Sequence, residues 1–303
     1  MDKTDCLIIG AGPAGLTAAI YLARYRLSAA VIDSGRSRAA LIPCTRNQAG
    51  FPDGIAGIDL LARMRRQAAR FGVTVQSGQV TALHRRDHLF AAYGEGACVQ
   101  ARTVLLATGV TNRRPDMPDS VHDAALAQGR LRYCPVCDGF EVTDQRVAVI
   151  GTGARGVKEA EFLRSYTRDV TLAASDGPHC LSEADRCRLA AIGVPAVDGP
   201  ARDFVLTEHG LSFLSSAGRL VFTSVYPALG SEIHAGLAAA LGAACTDDGC
   251  IQVDAHQRTS VSGLYAAGDV VLGLDQISHA MGQAGVAATA IRNDLAAQAP
   301  LLR

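Results

Sequence analysis

Two segments of the sequence repeat the same order of features, and this repetition constrains the fold more than anything else in the chain. In each segment a short apolar run leads into a turn of the form Gly-x-Gly-x-x-Gly, a helical stretch follows, and a second apolar run ends near an aspartate. The first segment covers residues 5–33 and the second covers residues 146–176. Such units build parallel sheets, so we predict an α/β fold with two Rossmann-like dinucleotide-binding domains, the second inserted into the first.

The glycines of each turn have separate physical tasks in a dinucleotide site. The first permits the tight bend, the second lets the backbone approach a pyrophosphate, and the third allows the helix to pack closely on the strand. The helix N-terminus then stabilises the phosphate charge. An ordinary glycine-rich turn is the alternative interpretation, and it weighs more for the second copy. The candidate cofactor-binding residues are Gly10, Gly12, Pro13, Ala14, Gly15 and Asp33 in the first unit and Gly151, Gly153, Gly156 and Asp176 in the second.

Other apolar runs indicate how the two units are arranged along the chain. Residues 103–109 and 263–269 are predicted to be buried strands that end in tight turns, and residues 112–118 break regular structure between the units. A final helix over about 276–295 carries small residues in its first half. The predicted boundaries are 1–115 and 246–303 for a discontinuous first domain and 116–245 for an inserted second domain.

The charge and the apolar pattern exclude several classes of protein. Lys and Arg number 29 against 29 Asp and Glu, so the net charge is zero and the chain lacks the basic surface that binds nucleic acid or an anionic membrane. No apolar run reaches the roughly 18–20 residues of a membrane span. Residues 1–5 do not resemble a secretory signal. We expect a cytoplasmic protein that binds neither nucleic acid nor membrane.

Among the cysteines, only Cys134 and Cys137 have a spacing with a direct chemical meaning. Two intervening residues allow the thiols to form a disulfide, and a thiolate is the nucleophile in thiol–disulfide exchange. A zinc site would need further ligands, and the other cysteines include no second Cys-x-x-Cys pair. We predict a redox-active pair and no bound metal, with an inert buried pair as the alternative.

Five motifs together resemble the low-molecular-weight thioredoxin reductases. In chain order they are the turn at 10–15, Ala107-Thr108-Gly109, Cys134-Pro135-Val136-Cys137-Asp138-Gly139, the turn at 151–156 and Gly268-Asp269-Val270. None is unique alone, but their order and spacing match the family over essentially the whole chain. The resemblance implies an FAD-dependent thiol–disulfide oxidoreductase that acts as a homodimer.

The resemblance also implies a role for each matching residue. FAD would occupy the first glycine turn, with Asp33 on its adenosine ribose, where the family usually has Glu, and Asp269 near its ribityl chain. Cys137 would lie beside the flavin, Cys134 would exchange with the partner's sulfur, and Asp138 would carry the proton, which a raised pKa would suit. The inserted domain would rotate to present either nicotinamide or the disulfide to the flavin. Further positions expected at the flavin are Thr108, Gly109, Gly268, Gln276 and Ile277.

The sequence departs from the family after the last strand of the second unit. NADPH-dependent members carry arginines there for the 2′-phosphate, whereas residues 174–180 contain none, and Asp176 would repel a phosphate. An acidic side chain suits a free ribose 2′-hydroxyl, so NADH is favoured over NADPH, and the use of no pyridine nucleotide stays open. Two other departures are residues 225–231, in place of a Gly-x-x-Pro-Asn segment, and Gln276-Ile277-Ser278, in place of Arg-Gln-Ala. The next residue, His279, could replace that arginine's charge, act as a base or face solvent.

The partner and the direction of electron flow stay open at the level of sequence. A thioredoxin-like protein or a small disulfide would receive the electrons of a reductase. The same departures also resemble FAD-dependent dithiol oxidases, which pass electrons from a small-molecule dithiol to oxygen, although many of those have His where this chain has Asp138. A reductase fed by ferredoxin and a flavin-holding redox sensor are further alternatives.

Overall fold

The computed structural model describes residues 3–95 and 97–302, and it confirms the predicted α/β fold with two Rossmann-like units. Short apolar strands alternate with helices in both units. The strands are β1 (Lys3–Ile9), β2 (Ala29–Asp33), β3 (Val75–Ser77), β4 (Gln79–Arg86), β5 (Leu89–Glu95), β6 (Ala97–Leu106), β7 (Val110–Asn112), β8 (Val147–Ile150), β9 (Val170–Ala173), β10 (Ala196–Val197), β11 (Arg202–Thr207), β12 (Gly210–Ser215), β13 (Gly218–Phe222), β14 (Ser224–Pro227), β15 (Ser231–Ile233) and β16 (Leu264–Ala266). The α-helices are α1 (Pro13–Arg24), α2 (Gly57–Ala69), α3 (Asp119–Ala127), α4 (Pro135–Asp138), α5 (Gly153–Leu163), α6 (Glu183–Ala191), α7 (Gly236–Ala240) and α8 (Ile277–Gln298), and 3₁₀ turns cover Arg38–Leu41 and Gly139–Val142.

Unit 1 contains a mainly parallel sheet with the strand order β3-β2-β1-β6-β5-β4, in which β16 also pairs with β6. The last four residues of β1 are buried, which explains their continuous apolar run, because a parallel strand is covered on both faces. Parallel strands end at the same edge of a sheet. The glycine turn after Ile9, Asp33 at the end of β2 and Leu106 at the end of β6 therefore meet at one edge.

Unit 2 contains a parallel sheet with the strand order β10-β9-β8-β14 and a separate antiparallel sheet of β11, β12 and β13. Every residue of β8 and β9 is buried. Phe213 of the antiparallel sheet lies with its ring centroid 5.5 Å from those of both Phe204 and Phe222. These rings anchor a second apolar core that the glycine-turn pattern does not predict.

The boundaries between the units differ from the predicted ones at three places, and the first is a small shift from 115 to 111. Unit 1 comprises the described residues up to Leu41, Ala56–Thr111 and those from Ile233 onward, and unit 2 comprises Ile42–Ile55 and Asn112–Glu232. The chain returns to unit 1 at 233 rather than 246, because residues on and around α7 pack into the core beneath β4, β6 and β16. The segment 42–55 groups with unit 2, and its ends are joined by the bridge between Thr45 and Ile55.

Candidate active site

The first glycine turn has the geometry that a bound pyrophosphate requires. Gly10 has a φ of +102°, and a Cβ there would overlap the carbonyl group of Ala107. A Cβ at Gly15 would overlap the carbonyl of Gly10. At Gly12, by contrast, a Cβ would meet only the Ser37 hydroxyl within 4 Å, at 3.2 Å. The outer glycines are therefore required by the protein's own packing, whereas Gly12 leaves open space in front of α1.

Helix α1 begins directly at this space. Gly12 is its N-cap, Pro13 is its first residue, and no side chain among the described residues caps it. Proline suits that position because its missing N–H would have no partner there. The N–H groups of Ala14 and Gly15 precede the first helical hydrogen bond, which Leu16 makes to the Gly12 carbonyl, so they are available to an anion together with the positive end of the helix dipole. The residues therefore fit the pyrophosphate of FAD.

Asp33 lies beside this turn at the end of β2 and is almost fully buried. One carboxylate oxygen accepts a hydrogen bond from the Ala11 N–H at 2.9 Å, and the other accepts one from the Arg65 guanidinium at 2.8 Å. A carboxylate has about four lone-pair sites, so it can still accept a bond from a ribose hydroxyl. Arg65, on α2, has no signal in the sequence that would have identified it.

Thr108 and Gly109 follow β6 at the same edge of the sheet. Gly109 has a φ of +63°. The Thr108 hydroxyl donates to the carbonyl of His234 at 2.8 Å, and the His234 N–H donates to the Gly109 carbonyl at 3.1 Å. The Thr108 side chain therefore anchors the chain at the point where the chain re-enters unit 1. The sequence did not predict this structural role for Thr108.

Gly268 and Asp269 lie where β16 ends. A Cβ at Gly268 would stand 3.0 Å from the Cβ of Ala14, so this turn runs beside the first turn of α1. Asp269 pairs with Arg38 at 3.0 Å, and Arg38 also pairs with Asp275 at 2.9 Å. Burial raises the pKa of Asp269, the neighbouring Asp275 adds to the rise, and Arg38 opposes it.

Gln276 and Ile277 mark the start of α8. Gln276 is the buried N-cap, Ile277 is the first helical residue, and no described side chain caps the helix. The Nε2 atom of His279 is buried without a hydrogen-bond partner among the described residues. It lies against the backbone of Gly273, where a Cβ would approach it to 2.8 Å. His279 therefore does not face solvent through this nitrogen.

The second glycine turn, in unit 2, is closely packed, as the first is, but differs from it in the backbone, because its positive φ lies at the middle glycine and not at the first. Gly153 has a φ of +60°, and a Cβ at Gly156 would press on Leu172 at 3.0 Å. A Cβ at Gly151 would stand 3.1 Å from Ala228. Helix α5 starts at Gly153 without a side-chain cap among the described residues, which leaves its first N–H groups available to a phosphate.

Asp176 follows β9, the second strand of this unit, and is exposed. It accepts a hydrogen bond from the Ser175 hydroxyl at 2.9 Å and forms no ion pair within the part of the chain that the structure describes. The guanidinium of Arg155 lies against Gly230 and makes no ion pair with Asp176. His179 is buried and bonds through its ring to the Leu172 carbonyl. The charge at this strand end is therefore negative.

Cys134 and Cys137 form a disulfide with their Cα atoms 5.3 Å apart. Cys134 is the N-cap of α4, and its carbonyl accepts the N–H groups of Cys137 at 2.9 Å and Asp138 at 3.2 Å. Pro135 at the first helical position favours this single turn. The turn thus brings the two sulfurs together and sets Asp138 directly after them.

Asp138 has two partners that the sequence did not predict. Arg132 donates to one carboxylate oxygen at 2.9 Å, and the Tyr226 hydroxyl donates to the other at 3.0 Å. Burial raises the pKa of Asp138 above its ordinary value, while Arg132 and Tyr226 oppose the rise and Glu141 adds to it. Tyr226 lies in the segment 225–231 that departs from the family pattern, and that departure was the available signal.

Glu159, on α5, is a further titratable group near the disulfide. Burial raises its pKa to about 7, Arg155 opposes the rise and the charge of Asp138 adds to it. No sequence pattern identifies Glu159 as a functional residue, because a glutamate within a helix is usually solvated. Two carboxyls with raised pKa values therefore interact beside the redox pair.

Two structural features of residues 3–95 and 97–302 bear on other functions. No group of three or more His, Cys, Asp and Glu side chains in these ranges is arranged to hold a metal ion. None of the helices described there has the length and apolar character that crossing a membrane requires.

Comparisons with known proteins find relatives over nearly the whole chain. The profile of the pyridine nucleotide-disulphide oxidoreductases matches residues 4–284. The thioredoxin reductase of Mycolicibacterium smegmatis is 32% identical over 286 residues, which are 88% of each chain. A bifunctional thioredoxin reductase/thioredoxin of Mycobacterium leprae is 31% identical over 287 residues, 88% of this chain and 60% of that one. The crystal structure of thioredoxin reductase from Streptococcus pyogenes superposes with a TM-score of 0.88 at 29% identity, covering 97% of this chain and 99% of the other.

Proposed function

Because the chain belongs to the pyridine nucleotide-disulphide oxidoreductase family, we propose that it is a reductase of the thioredoxin-reductase type. The chain is an FAD-dependent disulfide oxidoreductase, as the family and its relatives are. The finer proposal is that electrons pass from FAD to the Cys134–Cys137 pair and on to a disulfide partner. The observation that carries it is the Cys134–Cys137 disulfide, held in a short turn directly before a partly buried carboxyl.

FAD is assigned to unit 1. When bound, it supplies a couple that gives or takes two electrons. The open space at Gly12 and the uncapped start of α1 would hold its pyrophosphate. Asp33 would accept a ribose hydroxyl, Asp269 would bind the ribityl chain, and the start of α8 at Gln276 would face the flavin.

The redox pair performs the exchange in balanced steps. Two electrons break the S–S bond, and two protons complete its conversion to the thiols of Cys134 and Cys137. The Cys134 thiolate then attacks one sulfur of the partner's disulfide and forms a mixed disulfide, while the other partner sulfur leaves and takes up a proton. Cys137 attacks the Cys134 sulfur, which restores the pair and releases the partner as a dithiol. Asp138 would give and accept the proton at the pair.

Unit 2 is proposed to bind the pyridine nucleotide that reduces the flavin. The second glycine turn and the start of α5 suit a pyrophosphate. Asp176 is exposed at the end of β9, and no cation pairs with it among the described residues. A negative strand end favours a ribose 2′-hydroxyl over a 2′-phosphate. NADH is therefore the favoured reductant over NADPH.

The partner is proposed to be a thioredoxin-like protein. Val136 lies between the two cysteines and Phe140 three residues after Cys137, and they are 44% and 78% exposed. Exposed apolar side chains of this kind suit contact with another protein. A small disulfide would need no such surface. We further propose that the enzyme acts as a homodimer in the cytoplasm, on the resemblance to its relatives.

The proposal is tested by an anaerobic titration of the purified flavoprotein. NADH should bleach the flavin absorbance at about one equivalent per FAD, and NADPH should do so only at much higher concentration. The matched control is Cys134→Ser. This variant should still be bleached by NADH but should lose turnover with oxidised thioredoxin, because Cys134 is the attacking thiol.

A dithiol oxidase is the second candidate, and it is favoured by the end of β9, where Asp176 pairs with no cation in the described part of the chain. If neither nucleotide bleaches the flavin but a dithiol does, and air then restores the colour with formation of peroxide, the oxidase replaces the reductase. Bleaching only by reduced ferredoxin would instead identify a ferredoxin-fed reductase. Absence of turnover with every donor and acceptor would leave a redox sensor.

A further inference from the structure

Three side chains that are distant in the sequence meet beside the redox disulfide. Arg132 precedes the pair, Asp138 follows it, and Tyr226 comes from β14 in the parallel sheet of unit 2. Each carboxylate oxygen of Asp138 accepts one hydrogen bond, from Arg132 at 2.9 Å and from Tyr226 at 3.0 Å. The Asp138 side chain is 24% exposed and the Arg132 side chain 18% exposed, so solvent screens this ion pair only in part.

Arg132 is fixed by the backbone rather than free at the surface. Its Nε donates to the Gly129 carbonyl at 2.9 Å, and a second, longer bond of 3.4 Å reaches the Ser224 hydroxyl. Gly129 has a φ of +64°, and a Cβ there would stand 2.8 Å from the guanidinium. The glycine turn after α3 therefore makes the space in which Arg132 faces Asp138.

Tyr226 is fully buried, and its ring position is set by β14. Burial raises the pKa of its phenol far above the ordinary value, with the charge of Asp138 adding to the rise. The phenol therefore keeps its proton over the working range of pH and acts as a donor. A second bond of 3.3 Å joins the same hydroxyl to the Asp138 carbonyl, which restrains the backbone as well as the side chain.

We propose that Arg132 and Tyr226 are positioning residues that hold Asp138 in one orientation and favour its ionised form beside the Cys134–Cys137 pair. This inference rests on the proposed role of Asp138 as the proton carrier. The ionised carboxylate is then ready to accept the proton that a cysteine thiol must lose when the dithiol closes to the disulfide. In the opposite direction, the protonated form returns that proton to the sulfur that leaves when two electrons break the S–S bond.

Other charges around Asp138 act in the opposite sense. Glu141 and burial favour the neutral carboxyl. The charge of Asp138 adds to the raised pKa of Glu159 on α5, and Arg155 opposes that rise. An adjacent arginine lowers the pKa of an aspartate by about 1–3 units. Arg132 is the cation paired directly with Asp138 among the described residues, so its removal should raise the pKa of Asp138 further.

The test compares Arg132→Gln, which removes the charge, with Arg132→Lys, which keeps it. Aspartate-selective ¹³C labelling of the full-length flavoprotein gives the carboxyl titration by NMR, with the Asp138 resonance assigned by its loss in Asp138→Asn. The midpoint should rise by about 1–3 pH units in Arg132→Gln. It should rise less in Tyr226→Phe and stay near the wild-type value in Arg132→Lys.

A second readout follows the chemistry without flavin turnover. The rate at which the reduced pair closes to the disulfide is measured by alkylation of Cys134 and Cys137 during oxidation by glutathione disulfide, across a range of pH. The closure rate should increase with pH as Asp138 becomes ionised. In Arg132→Gln this increase should occur at higher pH, displaced by the same amount as the NMR midpoint. A one-unit shift lowers the rate about tenfold at a pH below both midpoints.

Two outcomes would overturn different statements. An unchanged Asp138 midpoint in folded Arg132→Gln would overturn the positioning role, even if activity were lost. If Asp138→Asn closed its disulfide as fast as the wild type at every pH, the proton-carrying role of Asp138 would fail instead. Circular dichroism of each variant separates these results from misfolding, and Tyr226→Phe supplies a second test if Arg132→Gln does not fold.

Discussion

Single residues at the first glycine turn show how packing and ligand binding can be separated. Gly15 and Gly12 belong to the same motif, yet a Cβ at Gly15 would overlap the Gly10 carbonyl, whereas one at Gly12 would meet only a side-chain hydroxyl at 3.2 Å within 4 Å. A backbone carbonyl at the centre of a unit cannot move away cheaply, while the Ser37 hydroxyl can rotate. Alanine substitutions at Gly12 and Gly15 should therefore have different effects, one on ligand binding and the other on stability.

We expect Gly12→Ala to fold and to lose FAD, because its methyl group would occupy the space assigned to the pyrophosphate. Flavin bound per protein, from the absorbance spectrum, should fall, with the affinity reduced about tenfold or more. Gly15→Ala should instead lower the free energy of unfolding by about 2 kcal/mol or more, because it forces α1 away from β1. Equal flavin content in Gly12→Ala and the wild type would contradict the assignment of this space.

At the scale of elements, the long helix α8 is tied to β16 by a charged network. Asp294 on α8 receives hydrogen bonds from Arg258 at 2.7 and 2.8 Å and from the hydroxyl of Tyr265, the middle residue of β16. The bonds from Arg258 hold the pKa of Asp294 below its ordinary value of 3.8. The stabilisation is present above that ordinary pKa and is lost as the pH falls through the lower pKa of the folded state.

Asp294→Asn should therefore destabilise the protein by about 1 kcal/mol at pH 7, a value reduced by solvent because about a third of each charged side chain is exposed. Urea unfolding at several pH values measures the difference. The difference should shrink as the pH falls below 3.8 and through the lower pKa that Asp294 has in the folded protein, where the wild-type carboxylate also becomes neutral. Asp116→Asn, at an exposed position without a partner among the described residues, serves as the control and should change stability little. A difference that persists at low pH would rule out the electrostatic origin.

At the scale of the whole molecule, the two units repeat one architecture and are proposed to bind different dinucleotides. The difference lies in the carboxyl at the end of the second strand of each. Asp33 in unit 1 is buried and bonded to Ala11 and Arg65, while Asp176 in unit 2 is exposed. Because each unit has its own sheet and core, a change of ligand preference in one need not alter the other.

We expect Asp176→Arg to raise the affinity for NADPH relative to NADH by about tenfold or more, because a guanidinium binds a 2′-phosphate. Stopped-flow bleaching of the flavin by each nucleotide gives the two dissociation constants, and the flavin content should stay unchanged. Glu208→Arg changes the charge equally at an exposed position in the β11–β12 turn. This control should leave the ratio of the NADPH and NADH dissociation constants unchanged. An unchanged ratio in Asp176→Arg would remove Asp176 from the nucleotide site.

The local sequence patterns predicted the elements next to the glycine turns well. The apolar run before Gly10 forms β1, and the final helix, predicted over about 276–295, spans Ile277–Gln298. The patterns did not predict the antiparallel sheet of β11, β12 and β13 or the return of the chain to unit 1 at 233. Those features depend on which apolar faces pack together, and a single strand's period does not specify its partner.

The sequence by itself determined the α/β fold, because a strand, a glycine turn and a helix are encoded within one short segment and occur twice. It also determined the Cys134–Cys137 pair, since two sulfurs three positions apart can meet in a single turn. Only the tertiary structure decided what surrounds the proton carrier. Tyr226 is 88 positions from Asp138, and its approach follows from β14 packing beside β8. Contacts between residues so far apart arise from packing of whole elements, which no local pattern records.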